Sequence, residues 1–311
     1  MVSAQAVGII TVVCCVLVRL FSIPRVDDSL ASEVIFGVKQ HDGSRLPPVF
    51  GHRGCALDAP ENTLAAFKEA KKNDADGIEL DLSFTRDNVA VIFHDDTLQR
   101  TTNGEGLLEN ITFEELRRLD ASCKHPLSKR FPEERVPTLE EGVEECLRLG
   151  MRIIIDVKNY DSRAVEAVDK LFREKPELYG RALVASFYHN FVYFLRRKNP
   201  DIVTALTWRP GFLAYEDVNN TRPRHRDAVA HMFDTIADWL LETALHTGLL
   251  PYLTGASAVL ISSNMMSAEY VKAWRNWGIH VIAWTSNHPT EKEFLRRSLR
   301  VSVITDTMHP D

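Results

Sequence analysis

Short apolar runs alternate with amphipathic stretches along most of the chain. Eight runs have the length of buried strands, at residues 49–51, 78–84, 153–157, 183–187, 202–206, 259–262, 281–284 and 301–305. The stretches between them carry apolar residues at helical spacing, over 63–72, 139–149, 164–172, 191–198, 268–277 and 291–299. Strands that alternate with helices indicate parallel βα units, and eight such strands close a (β/α)₈ barrel of the TIM type.

One further apolar run, residues 89–93, does not fit this alternation. Only residues 85–88 separate it from the second strand, and so short a connection permits an antiparallel hairpin but not a parallel crossover. We therefore predict a return strand outside the eight. With the turn near Asp87, His94 lies roughly opposite Glu79 and Leu80.

The segment 208–255 is predicted as an insertion after the fifth strand of the barrel. It is polar at first and then becomes helical and apolar. The run 239–262 could be mistaken for a second membrane span, but Glu242, His246 and Pro251 lie inside it. A charged residue in the middle of a span costs about 2.5–3.5 kcal/mol, so we predict a lid or membrane-contacting helix followed by a strand.

The N-terminus is the clearest break in the pattern. Residues 2–17 carry no charge, and the apolar stretch continues past Arg19 to Ile23. Because a basic start and a small-residue cleavage site are both missing, we interpret residues 1–23 as a signal anchor, with a cleaved signal peptide or a buried helix as alternatives. Residues 24–47 are interpreted as a polar linker, which leaves 48–311 as the barrel domain.

Composition excludes several classes of protein. The net charge is −6 over 311 residues with no basic stripe, so binding to nucleic acid has no electrostatic support. The five cysteines form no C-x-x-C pair and have no regular spacing, which excludes a zinc ribbon, a thioredoxin-like motif and a disulfide framework.

Acidic side chains share one face of two predicted strands. Glu79 and Asp81 alternate with apolar residues, and Asp156 alternates likewise two residues before Lys158. Carboxylates crowded into one site repel each other unless a cation intervenes, and an all-oxygen set suits Mg²⁺ or Ca²⁺ better than zinc. Buried salt bridges, such as one between Asp156 and Lys158, are the alternative.

Two histidines complete the predicted site. His52 ends the first strand and His94 ends the return strand. Imidazole titrates near neutral pH, so it can take a proton from a nucleophile or give one to a leaving alcohol. Arg53 adds a fork of donors that matches phosphate oxygens. The set indicates metal-assisted cleavage of a phosphate ester.

Short motifs in a fixed order connect this chain with a known family. They are His52-Arg53-Gly54, Pro60-Glu61-Asn62-Thr63, Gly77-Ile78-Glu79-Leu80-Asp81, His94-Asp95, Thr101-Thr102-x-Gly104, Asp156-Val157-Lys158, Ser186-Phe187, Trp284-Thr285-x-Asn287 and Thr305-Asp306. Over about residues 49–306 the chain resembles the glycerophosphodiester phosphodiesterase family. The N-terminal anchor, the insertion and Leu206-Thr207-x-Arg209-Pro210 resemble its animal membrane-bound branch.

The resemblance implies a role for each residue of the site. His52 and His94 would be the acid/base pair, Glu79, Asp81 and Asp156 the metal ligands, Arg53 and Lys158 the phosphate-binding residues, Trp284 and Asn287 the cleft residues, and Glu61 and Asn62 the residues that order the site. The implied cofactor is a divalent metal, Mg²⁺ first and Ca²⁺ second. Many members carry Glu in place of Asp156, which puts the metal geometry in question.

The resemblance also implies the reaction. The substrate would be a glycerophosphodiester such as glycerophosphoinositol, and the products glycerol 3-phosphate and the free alcohol. One alternative is a lysophospholipase D that uses the same site on lysophospholipids or on N-acyl lyso- and glycerophosphoethanolamines. The other is an inactive membrane adaptor on the same fold.

Location is predicted from opposing signals. The sequons at Asn110 and Asn219 are glycosylation candidates and favour a luminal or extracellular domain. Arg19 and Arg25 follow the apolar segment and favour a cytosolic one. We predict a protein anchored to a lipid bilayer with its barrel on the luminal or extracellular side.

Overall fold

The computed structural model describes residues 4–37, 46–158 and 162–309. Its strands are β1 Val49–His52, β2 Gly77–Phe84, β3 Ala90–Ile92, β4 Arg152–Val157, β5 Ala182–Ser186, β6 Thr204–Trp208, β7 Ala258–Ser262, β8 His280–Trp284 and β9 Ser302–Thr305. Its α-helices are α1 Ala4–Phe21, α2 Asp28–Phe36, α3 Leu64–Lys72, α4 Phe113–Arg117, α5 Leu139–Arg148, α6 Ser162–Glu174, α7 His189–Lys198, α8 Ala228–His246, α9 Leu249–Thr254, α10 Ala268–Asn276 and α11 Pro289–Glu293.

The strands form a closed parallel barrel, as the alternation of strands and helices predicts. β1 pairs with both β2 and β9, so the sheet closes on itself, and β3 lies antiparallel to β2 outside the ring. The (β/α)₈ barrel and its return strand are both confirmed. In the hairpin, the Phe93 amide donates to the Asp81 carbonyl at 2.9 Å, which brings His94 beside β2.

Strand parity divides the apolar residues into two layers. In β2, Ile78, Leu80 and Leu82 are buried against the surrounding helices, and their neighbours in sequence point the other way. A smaller cluster fills the barrel itself and contains Phe50, Ile154, Leu183, Ala185, Val203, Ala205, Ala258, Leu260, Ile282 and Ile304. The interior is therefore packed below the level of the polar side chains.

Helix α2 closes the N-terminal end of the barrel, and this corrects the prediction of a polar linker over 24–47. Ala31, Val34 and Ile35 lie at i, i+3 and i+4, so they share one face, and that face joins the cluster inside the barrel. Asp27 caps the helix by accepting from the Ser29 amide at 2.9 Å. Residues 38–45 of the same predicted linker, and residues 1–3 of the predicted anchor, lie outside the described residues.

We expect Ile35→Ala to destabilise the protein by about 2–5 kcal/mol, because the side chain is buried and its removal leaves a cavity under the barrel. Chemical denaturation would measure this loss. Glu33→Ala, on the exposed side of the same helix, is the matched control and should change stability by less than about 0.5 kcal/mol. Equal effects of the two substitutions would show that α2 does not pack as the structure has it.

The C-terminal end of helix α1 contacts the barrel domain. The Ile23 amide donates to the Leu253 carbonyl at 3.0 Å, and the Tyr193 hydroxyl donates to the Phe21 carbonyl at 3.0 Å. Within the part of the chain that the structure describes, no helix has the length and the apolar character that crossing a bilayer requires. The signal anchor stays a prediction.

The insertion forms α8 and α9 and then returns to the barrel. Asp227 caps α8 through the amides of Val229 and Ala230. β7 begins at Ala258 and pairs in parallel with β6 and β8. The predicted helix followed by a strand is confirmed, and a membrane span over 239–262 is excluded.

Candidate active site

Polar side chains from several strands meet at the C-terminal rim of the barrel. His52 is the last residue of β1 and lies in register with Glu79, while Asp81 lies in register with Asp156 on the next strand. Asp306 follows β9 directly. Because parallel strands end at the same rim, residues that are far apart in sequence converge there, where barrel enzymes place their chemistry.

Three carboxylates form the centre of the site. One oxygen from each of Glu79, Asp81 and Asp156 lies within 4.8 Å of the other two, and all three residues are buried. Burial and the charge of Asp81 raise the pKa of Glu79. Burial would also raise the pKa of Asp81, but the cations of Lys158 and Arg53 outweigh it and hold that pKa low.

Two carboxylate oxygens are left without a hydrogen-bond donor. No described residue donates a hydrogen bond to the buried Asp81 Oδ1 or Asp156 Oδ1, although Lys158 Nζ forms an ion pair with the former at 2.9 Å. Buried polar atoms are nearly always satisfied, so such oxygens suggest a missing partner. Three clustered carboxylates, two of them with such an oxygen, fit Mg²⁺ or Ca²⁺.

Two cations offset the negative charge of this centre. Arg53 Nε lies 3.3 Å from Asp81 Oδ2, and Lys158 Nζ lies 2.5 Å from Asp156 Oδ2. The Arg53 backbone adopts φ 53°, and its amide donates to Glu79 Oε2 at 3.0 Å. The predicted alternative of an Asp156–Lys158 salt bridge is therefore present, and it still leaves one oxygen of Asp156 unsatisfied.

Each histidine is held by a carboxylate at Nδ1. His52 Nδ1 lies 2.6 Å from Asp306 Oδ1, and His94 Nδ1 lies 2.6 Å from Asp95 Oδ1. This contact fixes the orientation of each ring and leaves its Nε2 to exchange a proton. His52 Nε2 lies 3.9 Å from Glu79 Oε2, so its ring reaches the carboxylate centre.

The surroundings push the pKa values of the two histidines apart. Burial lowers the pKa of His52, but the charges of Glu79 and Asp306 outweigh it, and the pKa is raised. For His94, burial outweighs the opposing charges of Asp81 and Asp95, and the pKa is lowered. A pair with separated pKa values suits a reaction that needs one acid and one base.

A network of ion pairs connects Arg53, beside the three carboxylates, with Asp95, which holds His94. Glu61 accepts from Arg53 at 2.9 Å and from Arg100 at 2.6 Å, and Arg100 Nε donates to Asp95 Oδ2 at 2.6 Å. Asn62 adopts φ 57° and donates to Asp81 Oδ2 at 2.8 Å. Glu61 and Asn62 therefore hold the residues that face the centre.

Three residues of this network received no predicted role. Asp95 and Asp306 belong to the family motifs His94-Asp95 and Thr305-Asp306. Membership of these motifs could have indicated a role at the site for both aspartates. Arg100 directly precedes Thr101-Thr102, and nothing in its local pattern indicates a bridge between Glu61 and Asp95.

An aromatic wall borders the mouth of the site. The ring of Phe187 stacks on Phe212 at 4.7 Å and meets Trp284 edge-on at 5.8 Å. Trp284 Nε1 is buried without a hydrogen-bond partner among the described residues, so it can donate to a ligand. Asn287 donates to Asp306 Oδ2 at 2.9 Å and accepts from the Asp306 amide at 2.8 Å, so its amide group holds Asp306 in place.

We expect Asp306→Asn to lower turnover by about 10- to 100-fold, the usual worth of a partner that orients a functional histidine. The carboxylate raises the pKa of His52, so its loss lowers that pKa. The limb of the pH–rate profile that belongs to His52 should therefore move to lower pH. Asp95→Asn is the matched variant, and it should move the limb of His94 instead. An unchanged pH profile in Asp306→Asn would reject the positioning role.

The amino-acid sequence of this chain is similar to those of known phosphodiesterases. The model of the glycerophosphoryl diester phosphodiesterase family matches residues 52–309. Human glycerophosphodiester phosphodiesterase 1 is 40% identical over 296 residues, covering 95% of this chain and 87% of that protein. The protein of the same name from Bos taurus is 41% identical over 295 residues, covering 95% and 86%.

Solved structures share the fold. A phosphodiesterase from Oleispira antarctica in complex with the product sn-glycerol-3-phosphate has a TM-score of 0.65 at 24% identity, covering 84% of this chain and 93% of that one. A glycerophosphodiester phosphodiesterase from Agrobacterium tumefaciens has a TM-score of 0.65 at 23% identity, covering 84% and 96%.

Proposed function

The chain belongs to the glycerophosphoryl diester phosphodiesterase family and is a phosphodiesterase, and from this premise we propose that it hydrolyses deacylated phospholipids such as glycerophosphoinositol with the help of a divalent metal. The products are glycerol 3-phosphate and the free alcohol. One observation carries the proposal: two unsatisfied carboxylate oxygens lie in a buried acidic cluster beside a histidine that a carboxylate orients.

Separate groups of side chains bind the metal and the phosphate. Glu79, Asp81 and Asp156 would hold the metal, which when bound stabilises negative charge on the phosphate. Arg53 and Lys158 bind phosphate oxygens, because both cations already face the acidic cluster.

His52 and His94 transfer the protons of the reaction. One imidazole takes a proton from the nucleophile, either water or the glycerol 2-hydroxyl, and the other gives a proton to the departing alkoxide as its bond to phosphorus breaks. After attack by the 2-hydroxyl, water opens the cyclic phosphate to glycerol 3-phosphate. Asp306 and Asp95 keep the two rings oriented through Nδ1. Trp284 and the aromatic wall border the space for the alcohol group of the substrate.

Two other functions use the same fold. A lysophospholipase D acting on lysophospholipids or on N-acyl forms is favoured by the apolar character of Phe187, Phe212 and Trp284 at the mouth. An inactive adaptor would lack part of the machinery, whereas here all three carboxylates and both histidines are present.

A substrate panel with the full chain separates these functions. We expect release of glycerol 3-phosphate from glycerophosphoinositol in the presence of Mg²⁺, and slower release with Ca²⁺. Lysophosphatidylinositol and N-acyl lysophosphatidylethanolamine serve as acylated competitors. A strong preference for an acylated substrate would favour the lysophospholipase D, and no turnover of any substrate with either metal would favour the adaptor.

The proposal extends to location. We propose that α1 attaches the protein to a bilayer, with the barrel on the luminal or extracellular side. The exposed sequon residues Asn110 and Asn219 support this orientation, since oligosaccharyl transfer needs accessible asparagines. A shift in electrophoretic mobility after glycosidase treatment of the full chain from cells tests it, and an unchanged mobility would argue for a cytosolic barrel.

A further inference from the structure

Helix α8 presents large apolar side chains to the outside of the protein. Phe233 is 62% exposed and Trp239 63% exposed. The residues that form this outward stripe, at helical spacing, are Val229, Met232, Phe233, Ile236, Trp239 and Leu240. They cover about 16 Å of the helix at 1.5 Å per residue. Scattered exposed apolar residues are ordinary, but a contiguous stripe marks an interaction surface.

The inward face of the same helix carries two aspartates near its middle, and Leu245 near its C-terminal end is buried. Asp238 accepts from the amides of Leu213 and Ala214 at 2.9 and 2.8 Å. Asp234 contacts His225 at 2.7 Å. A helix on the surface of a protein in water normally has the opposite arrangement, with its apolar side inward. The reversed polarity indicates that the outward stripe faces a non-aqueous environment.

The stripe lies beside the mouth of the active site. The rings of Trp208, which ends β6, and His246, which ends α8, lie 4.7 Å apart, so the C-terminal end of the helix packs beside the C-terminal end of β6. The loop that Asp238 holds contains Phe212, whose ring stacks on Phe187 at the mouth. The outward stripe and the aromatic wall therefore belong to one corner of the molecule.

Positive charge accompanies the stripe. Arg222, Arg224 and Arg226 are exposed just before α8 begins. Two of the nearby acids face backbone amides, since Asp217 accepts from the amides of Thr221 and Arg222 and Asp227 caps the helix, while Glu216 is exposed beside Arg222. A basic border around apolar side chains matches the surface of a bilayer, where phosphate groups lie above the acyl chains.

Helix α1 ends against α7 and α9. Its exposed residues Leu17, Leu20 and Phe21 lie next to the point where Tyr193 of α7 holds its end. The amide of Ile23, two residues after Phe21, donates to the carbonyl of Leu253 in α9, which follows α8 after two residues.

We propose that the outward stripe of α8 docks on a lipid bilayer and holds the mouth of the active site at the membrane surface. Trp239 and Phe233 enter the interfacial region, and Arg222 and Arg226 lie against lipid phosphates. The docking is a property of the surface alone, so it can be tested without measuring turnover and does not depend on the proposed substrate.

Quenching of tryptophan fluorescence by brominated lipid tests the proposal. The full chain is reconstituted by detergent removal into vesicles of phosphatidylcholine and phosphatidylserine that carry bromine on the acyl chains. We expect strong quenching in the natural protein and loss of most of it in Trp239→Phe. Trp277→Phe removes another exposed tryptophan and should keep most of the quenching.

A charge placed in the stripe gives the second measurement. Phe233→Glu should weaken the quenching of Trp239, whereas Phe294→Glu, at an exposed phenylalanine outside α8, should leave it unchanged. Equal quenching in the natural protein and Trp239→Phe would overturn the proposal. A doubled molecular mass, with Trp239 shielded from both lipid bromine and aqueous iodide, would overturn it in favour of a second copy of the chain on the stripe.

Discussion

Turnover of glycerophosphoinositol should fall by about 10²- to 10⁴-fold when His52 is replaced by alanine, the range expected for a general acid or base. His52 ends β1, has Asp306 at its Nδ1 and reaches toward Glu79 with its Nε2. Removing the imidazole removes a proton carrier without changing the strand that bears it. Steady-state rates at saturating substrate measure the effect.

A matched substitution shows whether the loss comes from chemistry. His309→Ala replaces an exposed histidine near the C-terminus and should leave the rate unchanged. His94→Ala should resemble His52→Ala, and the double substitution should cost much less than the product of the two, because both residues serve one reaction. A rate in His52→Ala within a factor of about three of the natural rate would exclude a proton-transfer role.

Removal of divalent metal should abolish turnover, and Mg²⁺ should restore it. The physical reason is the crowding of Glu79, Asp81 and Asp156, whose oxygens approach within 4.8 Å of one another. Asp81→Asn removes one charged ligand while keeping the size of the side chain. We expect it to lower turnover by about 10²- to 10³-fold, comparable with losing one fixed electrostatic contact in an active site. Assays with EDTA and then with excess Mg²⁺ measure both effects.

Calorimetric titration with Mg²⁺ gives a measurement that does not depend on turnover. Asp81→Asn should bind the ion more weakly, while Asp74→Asn, at an exposed position, should bind it as the natural protein does. Thermal unfolding must accompany the titration, since Asp81 also faces Lys158 and Arg53, and loss of a buried partner destabilises a protein. Full activity in EDTA would refute the metal-assisted mechanism, whatever the effect of the substitution.

Local sequence was enough to predict the barrel and the acidic centre. The alternation of charged and apolar residues in β2 fixes which side chains share a face, because successive residues of a strand point to opposite sides. This alternation therefore assigned Glu79 and Asp81 to one face of the strand and Ile78 and Leu80 to the other without knowledge of the fold. The five residues between β2 and β3 likewise forced a hairpin and brought His94 to the site.

Contacts between distant segments were decided by the closure of the barrel. The bond between His52 and Asp306 joins residues 254 positions apart, and it exists because β1 and β9 become neighbours only when the sheet closes. Arg100 reaches Glu61 by the same folding of distant loops onto one rim. Spacing along the chain carries no information about such pairs.

The sequence by itself determined which elements form and which of their faces are apolar, since both follow from periodicity within a dozen residues. Only the tertiary structure decided what each face meets. The apolar face of α2 fills the base of the barrel, while that of α8 points outward, although both helices show ordinary helical spacing. Periodicity reports that a face is apolar, and the three-dimensional arrangement of its neighbours decides whether protein covers it.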